Sequence, residues 1–370
     1  YRRPLMVGGN FKDMLVAGFS VRGAVESLRK LNMDKVIALD FFGDWDLLKL
    51  SSEIRVVRSL AEFRKALLSY PNEQIIYTSV LENNLDILKQ VENRVIGNGV
   101  SSVKLVRPGR NWWELAWKLG IRVPRVSESP VYDGKWLIKP YKSGGGRGIS
   151  FWDKKDGLKR GYYIQEFIGG ENISFLFLAN GKDFIPLGYT KQLIGFKGLG
   201  GDNFKWCGNI YPFGVEKTFR EEIEGWVGKL VEKTGLKGLN GIDIVLSERG
   251  PYFIEVNPRY TASMELLERA HGFNVLEAHF QACYGELPKV KFKDFEGFYV
   301  KGIVYAEKTL TGFNCEKMWE KGFRDITRSE EVVPRGRPVC SIFAYGLTED
   351  EALENLLKEK LWLYERGIGK

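Results

Sequence analysis

Two periodicities alternate along the first hundred positions, and the switching between them predicts the fold. Short apolar runs at Leu5-Met-Val-Gly8, Val36-Ile-Ala-Leu39, Gln74-Ile-Ile-Tyr77 and Arg94-Val-Ile96 read as strands, and Gly18 to Leu31 and Leu60 to Leu68 as helices between them. Strands separated by helices predict a parallel, doubly wound sheet. Gly8-Gly9 after the first run reads as a tight turn or, alternatively, as a nucleotide loop of its own. Asn111-Trp-Trp-Glu114 has the form of an Asn N-cap with Glu at N3, which predicts a helix through Lys118. Trp113 and Trp117, one turn apart, are expected to pack one face of that helix into the core rather than stack on a base.

Farther along, the pattern becomes strand-dominated. Lys135-Trp-Leu-Ile-Lys-Pro140 reads as a strand running into Tyr141-Lys-Ser-Gly-Gly-Gly-Arg-Gly148, and Ile149-Ser-Phe-Trp152 as the returning strand. Gly241 to Ser247 and Pro251 to Pro258 read as a hairpin about Glu248-Arg-Gly250. Lys191 to Asn209, with five glycines among lysines and aromatics, reads as a long loop and is expected to be a lid, with Lys191 or Lys197 reaching substrate. Strands are expected at Tyr299 to Ala306 and Cys340 to Tyr345, with a turn at Pro334-Arg-Gly-Arg-Pro338. Its Arg335 and Arg337 either solvate that turn or face substrate. A last helix, Glu349 to Glu365, opens on the capping box Thr348-Glu-Asp-Glu351.

Composition narrows the classes. A chain of 370 residues, 44% hydrophobic and 28% charged, is globular and long enough for two or three domains. No apolar run approaches the ~18 residues of a membrane span, and Tyr1-Arg-Arg-Pro4 lacks a signal-peptide core, so the expectation is cytoplasmic, without a membrane partner. The net charge of +8 suits an anionic ligand; the scattered basic residues form no nucleic-acid module, and no nucleic-acid partner is expected. Cys207, Cys283, Cys315 and Cys340 form no CxxC and only His271 and His279 accompany them, a poor basis for zinc.

Two constellations carry chemistry. With the hairpin turn centred on Arg249, Asp243 and Glu255 become cross-strand partners and Asn257 shares their face. Like charges placed opposite one another call for a cation between them, and Asp, Glu and an amide oxygen are hard ligands suited to Mg²⁺; the alternative is a solvated hairpin face. The second is Lys139 at a strand end, followed by a glycine run whose amides can turn toward an anion. It is neither a Walker A loop nor a GxGxxG fingerprint, and reads as a mobile hairpin tip over phosphates or as a plain flexible turn.

These motifs, in this order between about Lys104 and Gly285, resemble those of the ATP-grasp enzymes. Trp136 to Gly148 is similar to the lysine-plus-glycine loop of biotin carboxylase, and implies that Lys139, Ser143, Gly144, Gly145, Gly146, Arg147 and Gly148 bind phosphates. Tyr163-Ile-Gln-Glu-Phe-Ile168 resembles the adenine-reading hinge, implicating Gln165, Glu166, Phe167 and Ile168; Glu171 resembles the ribose acid and Lys104 the first phosphate lysine. Asp243, Glu255 and Asn257 match the metal trio, and Arg259 in Glu255-Val-Asn-Pro-Arg259 would stand near the transferred phosphoryl group, with Lys191 as a further catalytic candidate. The position two residues before Asp243 is Gly241, where the D-alanine ligases have arginine, so substrate identity does not carry over.

The resemblance implies an α/β grasp protein. Its parts would be an N-terminal doubly wound parallel-sheet domain at 1–105, a linker helix and small lid subdomain at 106–170, a large subdomain with the metal site at 171–290, and a β-rich C-terminal module at 291–370. It further implies ATP and Mg²⁺ (or Mn²⁺) as cofactors and a small carboxylate as partner, activated as an acyl phosphate for attack by an amine. A carboxylase acting through carboxyphosphate and a silent nucleotide-binding regulator are the alternatives, and a homodimer is left open.

Overall fold

A computed structural model describes residues 13–153, 157–290 and 292–369. The predicted strand at Leu5 to Gly8 and the turn at Gly8-Gly9 lie outside them. The first described elements are β1 (Asp13–Ala17), α1 (Arg22–Arg29), β2 (Lys35–Asp40), α2 (Trp45–Leu50), β3 (Glu53–Val56), α3 (Leu60–Leu68) and β4 (Gln74–Tyr77). The strands form a parallel sheet in the order β3-β2-β1-β4. Successive residues of β1 enter different cores, Met14 and Val16 beneath α1, Leu15 and Ala17 beneath α3, so the sheet is buried on both faces as a doubly wound sheet must be. Only Val95 of the expected strand at Arg94 to Ile96 pairs, through a single bridge to Ile75.

Three helices follow: α4 (Leu85–Val91), α5 (Val100–Val106) and α6 (Arg110–Leu119). Gly109, at φ +147°, caps α6, and Asn111 lies inside its first turn without capping it. The stripe that faces the core is Trp112, Leu115 and Ala116, at i, i+3 and i+4, while Trp117 is 80% exposed, contrary to the sequence expectation. Trp113 packs on the rings of Tyr141 and Tyr163.

Strands β5 (Val126–Ser127), β6 (Trp136–Pro140), β7 (Ser150–Phe151) and β8 (Tyr162–Glu166) form a small antiparallel sheet in the order β5-β8-β6-β7. The remainder builds one large sheet from β9 (Glu171–Asn180), β10 (Phe184–Ile194), β11 (Trp206–Tyr211), β12 (Lys237–Ser247), β13 (Gly250–Asn257), β14 (Phe298–Tyr305) and β15 (Pro338–Gly346), in the order β13-β12-β9-β10-β11-β14-β15. Helix α7 (Lys217–Thr234) and α6 cover one part of it, α8 (Met264–His271) and α9 (Val275–Cys283) join it to the N-terminal sheet, and α11 (Glu349–Trp362), which follows α10 (Cys315–Glu320), packs on β14 and β15. The strands of the C-terminal segment thus continue the sheet that carries the acidic hairpin. Thr348 caps α11 as the sequence predicts, its hydroxyl accepting from the Glu351 amide.

The expected lid from Lys191 to Asn209 is sheet at both ends, with a connection over 195–205 between them. β10 runs on to Ile194 and β11 starts at Trp206, leaving a connection in which Leu199 is fully buried; strand pairing and burial, which composition does not register, decide the outcome.

One buried charge cluster ties the parts together. Arg22, 0% exposed, bonds Glu26 of its own helix, Glu265 of α8 and Asp325 after α10, while Lys301 of β14 pairs with Glu265.

Candidate functional site

The acidic pair sits where the sequence places it, for a different local reason. The turn is only Glu248-Arg249, with Ser247 paired to Gly250, and a bulge between Asp243 and Ile244 shifts the register so that Asp243 stands opposite Glu255. Without that extra residue the two acids would be out of register. Asp243 Oδ1 accepts from Ser174 Oγ and Gln192 Nε2, both at 2.8 Å, and Asn257 Nδ2 donates to Asp243 Oδ2 at 3.1 Å. Glu255 Oε1 accepts from Arg107 Nη1 at 2.6 Å.

The glycine loop closes over this pair. Lys139, Tyr163 and Glu255, with Arg107 and Ser143 to Gly146, line one cavity of about 40 Å³. That volume is far below the ~300 Å³ or more of ligand pockets. Gly146 and Gly148 have φ of +77° and Gly145 of +63°, conformations that side chains resist. The loop is docked: Trp206 donates its amide to the Gly145 carbonyl at 3.2 Å, and a Cβ on Gly146 would run into the Phe204 carbonyl oxygen. Arg147 lies over the Phe19 ring, 5.5 Å from its centroid, and Ser143 Oγ donates to the Arg147 carbonyl.

Charge is unevenly held here. Burial first, then Glu255, pushes the Asp243 carboxyl up to about 6. Burial acts on Glu255 in the same direction, but Arg107 and then Lys139 outweigh it and hold its carboxyl below the usual range. Burial likewise lowers the Lys139 ammonium, whose Nζ donates to Gln165 Oε1 at 3.3 Å. Proton affinities displaced in opposite senses within one cluster make it a candidate functional site.

On the hinge, Glu166 pairs with Arg125, its amide donating to the Arg125 carbonyl, and the Phe167 amide donates to the Lys135 carbonyl. Ile168 is buried just beyond β8. Glu171 pairs with Lys191 at 3.1 Å. Arg259 follows the end of β13 rather than extending it, yet its guanidinium returns to Asn257 Oδ1 at 3.1 Å and pairs with buried Glu82 at 2.6 Å.

Two predicted residues are not brought to the acidic pair. Lys104 is exposed within α5, and Arg107, just past the end of that helix, faces the cavity instead. Lys191 pairs with Glu171 and Glu349, because strand alternation puts it on the face opposite Gln192, which bonds Asp243. Arg107, Ser174, Gln192 and Glu82 were not singled out from the sequence; only Arg107, before Pro108 at a helix end, carries a local signal, since helices commonly stop there.

A small antiparallel sheet with a glycine loop thus closes against a large sheet that carries a carboxylate pair. The chain belongs to the ATP-grasp family: residues 113–263 match the ATP-grasp domain, and the chain is 30% identical over 250 residues to tyramine–L-glutamate ligase of Methanocaldococcus jannaschii, over 63% of this chain and 73% of that protein. It is 24% identical over 367 residues to an uncharacterised protein of the same organism, covering 91% of this chain and 89% of that one. The biotin carboxylase–β,γ-ATP complex of Campylobacter jejuni shares the fold at a TM-score of 0.72 and 16% identity, over 96% of this chain and 92% of that one. Phosphoribosylamine–glycine ligase of Thermotoga maritima does so at 0.71 and 19%, over 94% and 96%. Among the described residues no helix is long and apolar enough to cross a membrane.

Proposed function

We propose that this chain is an ATP-dependent ligase that activates a small carboxylate as an acyl phosphate, which an amine then displaces to give an amide, inorganic phosphate and ADP. The observation that carries the reading is the Asp243–Glu255 pair facing Lys139 and Arg107 beneath the glycine loop. The relationship to a carboxylate-amine ligase supports it.

Asp243, Glu255 and Asn257 fit a divalent cation by donor type, two carboxylates set opposite one another beside an amide; the Asn257 nitrogen donates to Asp243 and its oxygen accepts from Arg259, so the amide must turn over to offer its oxygen, and burial, then Glu255, pushes the Asp243 carboxyl up. Mg²⁺ (or Mn²⁺), when bound, would supply positive charge against the phosphates there. Lys139 and Arg107 neutralise the transferring phosphoryl group, while amides of Gly144 to Gly148 cradle it and keep water out. Arg259, fixed by Glu82, steers the carboxylate oxygen, and Gln165 to Ile168 hold the adenine through main-chain groups, with Glu171 at the ribose. In this reading residues 106–170 act as the lid on the large subdomain at 171–290, between the 1–105 domain and the 291–370 module.

Incubation with pooled ¹⁸O-carboxylates and amines tests the reading. One labelled oxygen should pass from carboxylate to released phosphate as ADP forms. Label arriving only from labelled bicarbonate would make the chain a carboxylase, and ADP-free incubations across the pool would leave it a binder.

A further inference from the structure

Four carboxyl groups gather at the carboxyl end of β2, and three of them are satisfied. Asp40 accepts from the amides of Val21, Phe42 and Gly43. Asp46 accepts from the amides of Asp325 and Ile326, and Asp325 from Arg22 and Ser341 Oγ. Asp44 is the exception. It precedes α2 in a capping position, yet its side chain makes no cap bond; it is 7% exposed, and its Oδ2 finds no hydrogen-bond partner among the described residues. A buried carboxyl oxygen without a partner is costly, so native structures seldom keep one without use. Burial, then Asp40, Asp325 and Asp46, all raise its affinity for a proton against the opposing pull of Arg22.

Asp44 lines a second cavity, of about 150 Å³, with Phe42, Thr327, Arg328, Glu331 and Arg337. At ~30 Å³ per water-sized group it takes about five heavy atoms. Arg328 is neutralised by Glu331 at 2.6 Å. Arg337 is exposed and without an ion-pair partner among the described residues. The cavity therefore has a buried carboxyl with an unpartnered oxygen at one end and an unpaired guanidinium at its mouth. Its mouth adjoins the phosphate loop: Gly336, next to Arg337, accepts from Lys205 Nζ at 3.5 Å, and the neighbouring Phe204 carbonyl abuts Gly146. Its Phe42 wall is joined to the same loop through Phe19, whose ring lies 5.1 Å from that of Phe42 and beneath Arg147.

We propose that this cavity binds a compact amino acid, its ammonium group on Asp44 and its carboxylate toward Arg337. The proposal rests on the ligase reading, and deepens it by naming the activated carboxylate as that of an amino acid. An ammonium ion-paired with Asp44 is no nucleophile, so the bound molecule presents only its carboxylate for phosphorylation and cannot join to a second copy of itself through that nitrogen.

Calorimetric titration of the nucleotide-free full chain tests this with L-alanine, n-propylamine and propionate. Alanine should bind about tenfold tighter than propylamine, and propionate more weakly than either. Asp44→Asn should weaken alanine and propylamine at least about 30-fold, whereas Arg337→Met should bring alanine to the level of propylamine. Arg337 lies on an exposed turn, so its variant preserves the test should Asp44→Asn not fold. Failure of the wild type to bind alanine and propylamine, propionate binding as tightly as alanine, or alanine binding unchanged in both variants would overturn the assignment. A parallel ADP titration reports on the nucleotide site alone, so its failure would sink the ligase reading and leave the amino-acid cavity standing.

Discussion

Replacing Arg107 with methionine removes a buried guanidinium that makes one ion pair with Glu255 at 2.6 Å and hydrogen bonds to Asn83 Oδ1 at 2.7 Å and to the Val256 carbonyl at 3.2 Å. The charged contact is worth about 1.5–3 kcal/mol and each neutral one about 1. Lys139 still offsets part of the Glu255 charge, so the net loss of folding stability should be about 2–4 kcal/mol rather than the upper end for breaking a buried pair. In the nucleotide-bound protein the same guanidinium would face phosphate. ADP affinity should then fall about 10- to 100-fold, or 1.4–2.8 kcal/mol, with adenosine affinity unchanged. Arg107→Lys keeps the charge and loses the fork: most of the ADP affinity should return, but not the stability, since the bonds to Asn83 and Val256 need separate nitrogens. Urea unfolding and titrations with ADP and adenosine measure both quantities. If Arg107→Met binds ADP as the wild type does, the guanidinium is only a structural counter-ion and the phosphate role is wrong.

Other expectations follow from the same geometry. Lys139→Met should weaken ATP about 10- to 100-fold more than adenosine, and parallel losses for both would place Lys139 away from the phosphates. Gly146→Ala forces a side chain into φ +77° against the Phe204 carbonyl, so turnover should fall at least about tenfold while the melting temperature moves by only a few degrees; normal turnover would mean that the docked loop plays no part in catalysis. His279, whose Nδ1 accepts from the Leu239 amide, is held by burial down to about 4. The fold prefers its neutral ring, so stability is full above the ordinary value near 6.5 and up to about 3 kcal/mol is lost as pH falls from there toward 4. Urea midpoints of His279→Gln should be much flatter across that window, and an unchanged slope would refute the attribution.

Much of the candidate site was legible because it is local. Alternation within one hairpin brings Asp243, Glu255 and Asn257 to one face, and a strand ending in Lys139 before a glycine run announces an anion loop at short range. The residues that escaped depend on phase and long-range pairing. Whether Lys104 or Arg107 faces inward turns on where α5 ends, and Trp112 rather than Trp117 is buried because the stripe it shares with Leu115 and Ala116 is the one that meets the large sheet. Lys191 looked like part of a lid because glycines and lysines resemble a loop; it pairs with Ile173 of the preceding strand β9 and with Ile210 of β11, and strand alternation turns it away. The bulge beside Asp243 was invisible too, although the reading reached the right pair by assuming a longer turn.

The cluster around Arg22 sets a timetable for the growing chain. Arg22 and Asp325 are 303 residues apart in sequence, so at ~5–20 residues per second the ribosome makes Arg22 roughly 15–60 s before its partner exists. During that interval the N-terminal sheet cannot bury Arg22 beneath a complete set of carboxylates, and leaving such a charge unpaired in the interior costs several kcal/mol. The half-made protein must therefore keep that face hydrated. Residues 325 onward, made later than α1, both lock that helix and close the cavity beside Asp44, so a chain that stops before them should lack the cavity as well as the lock.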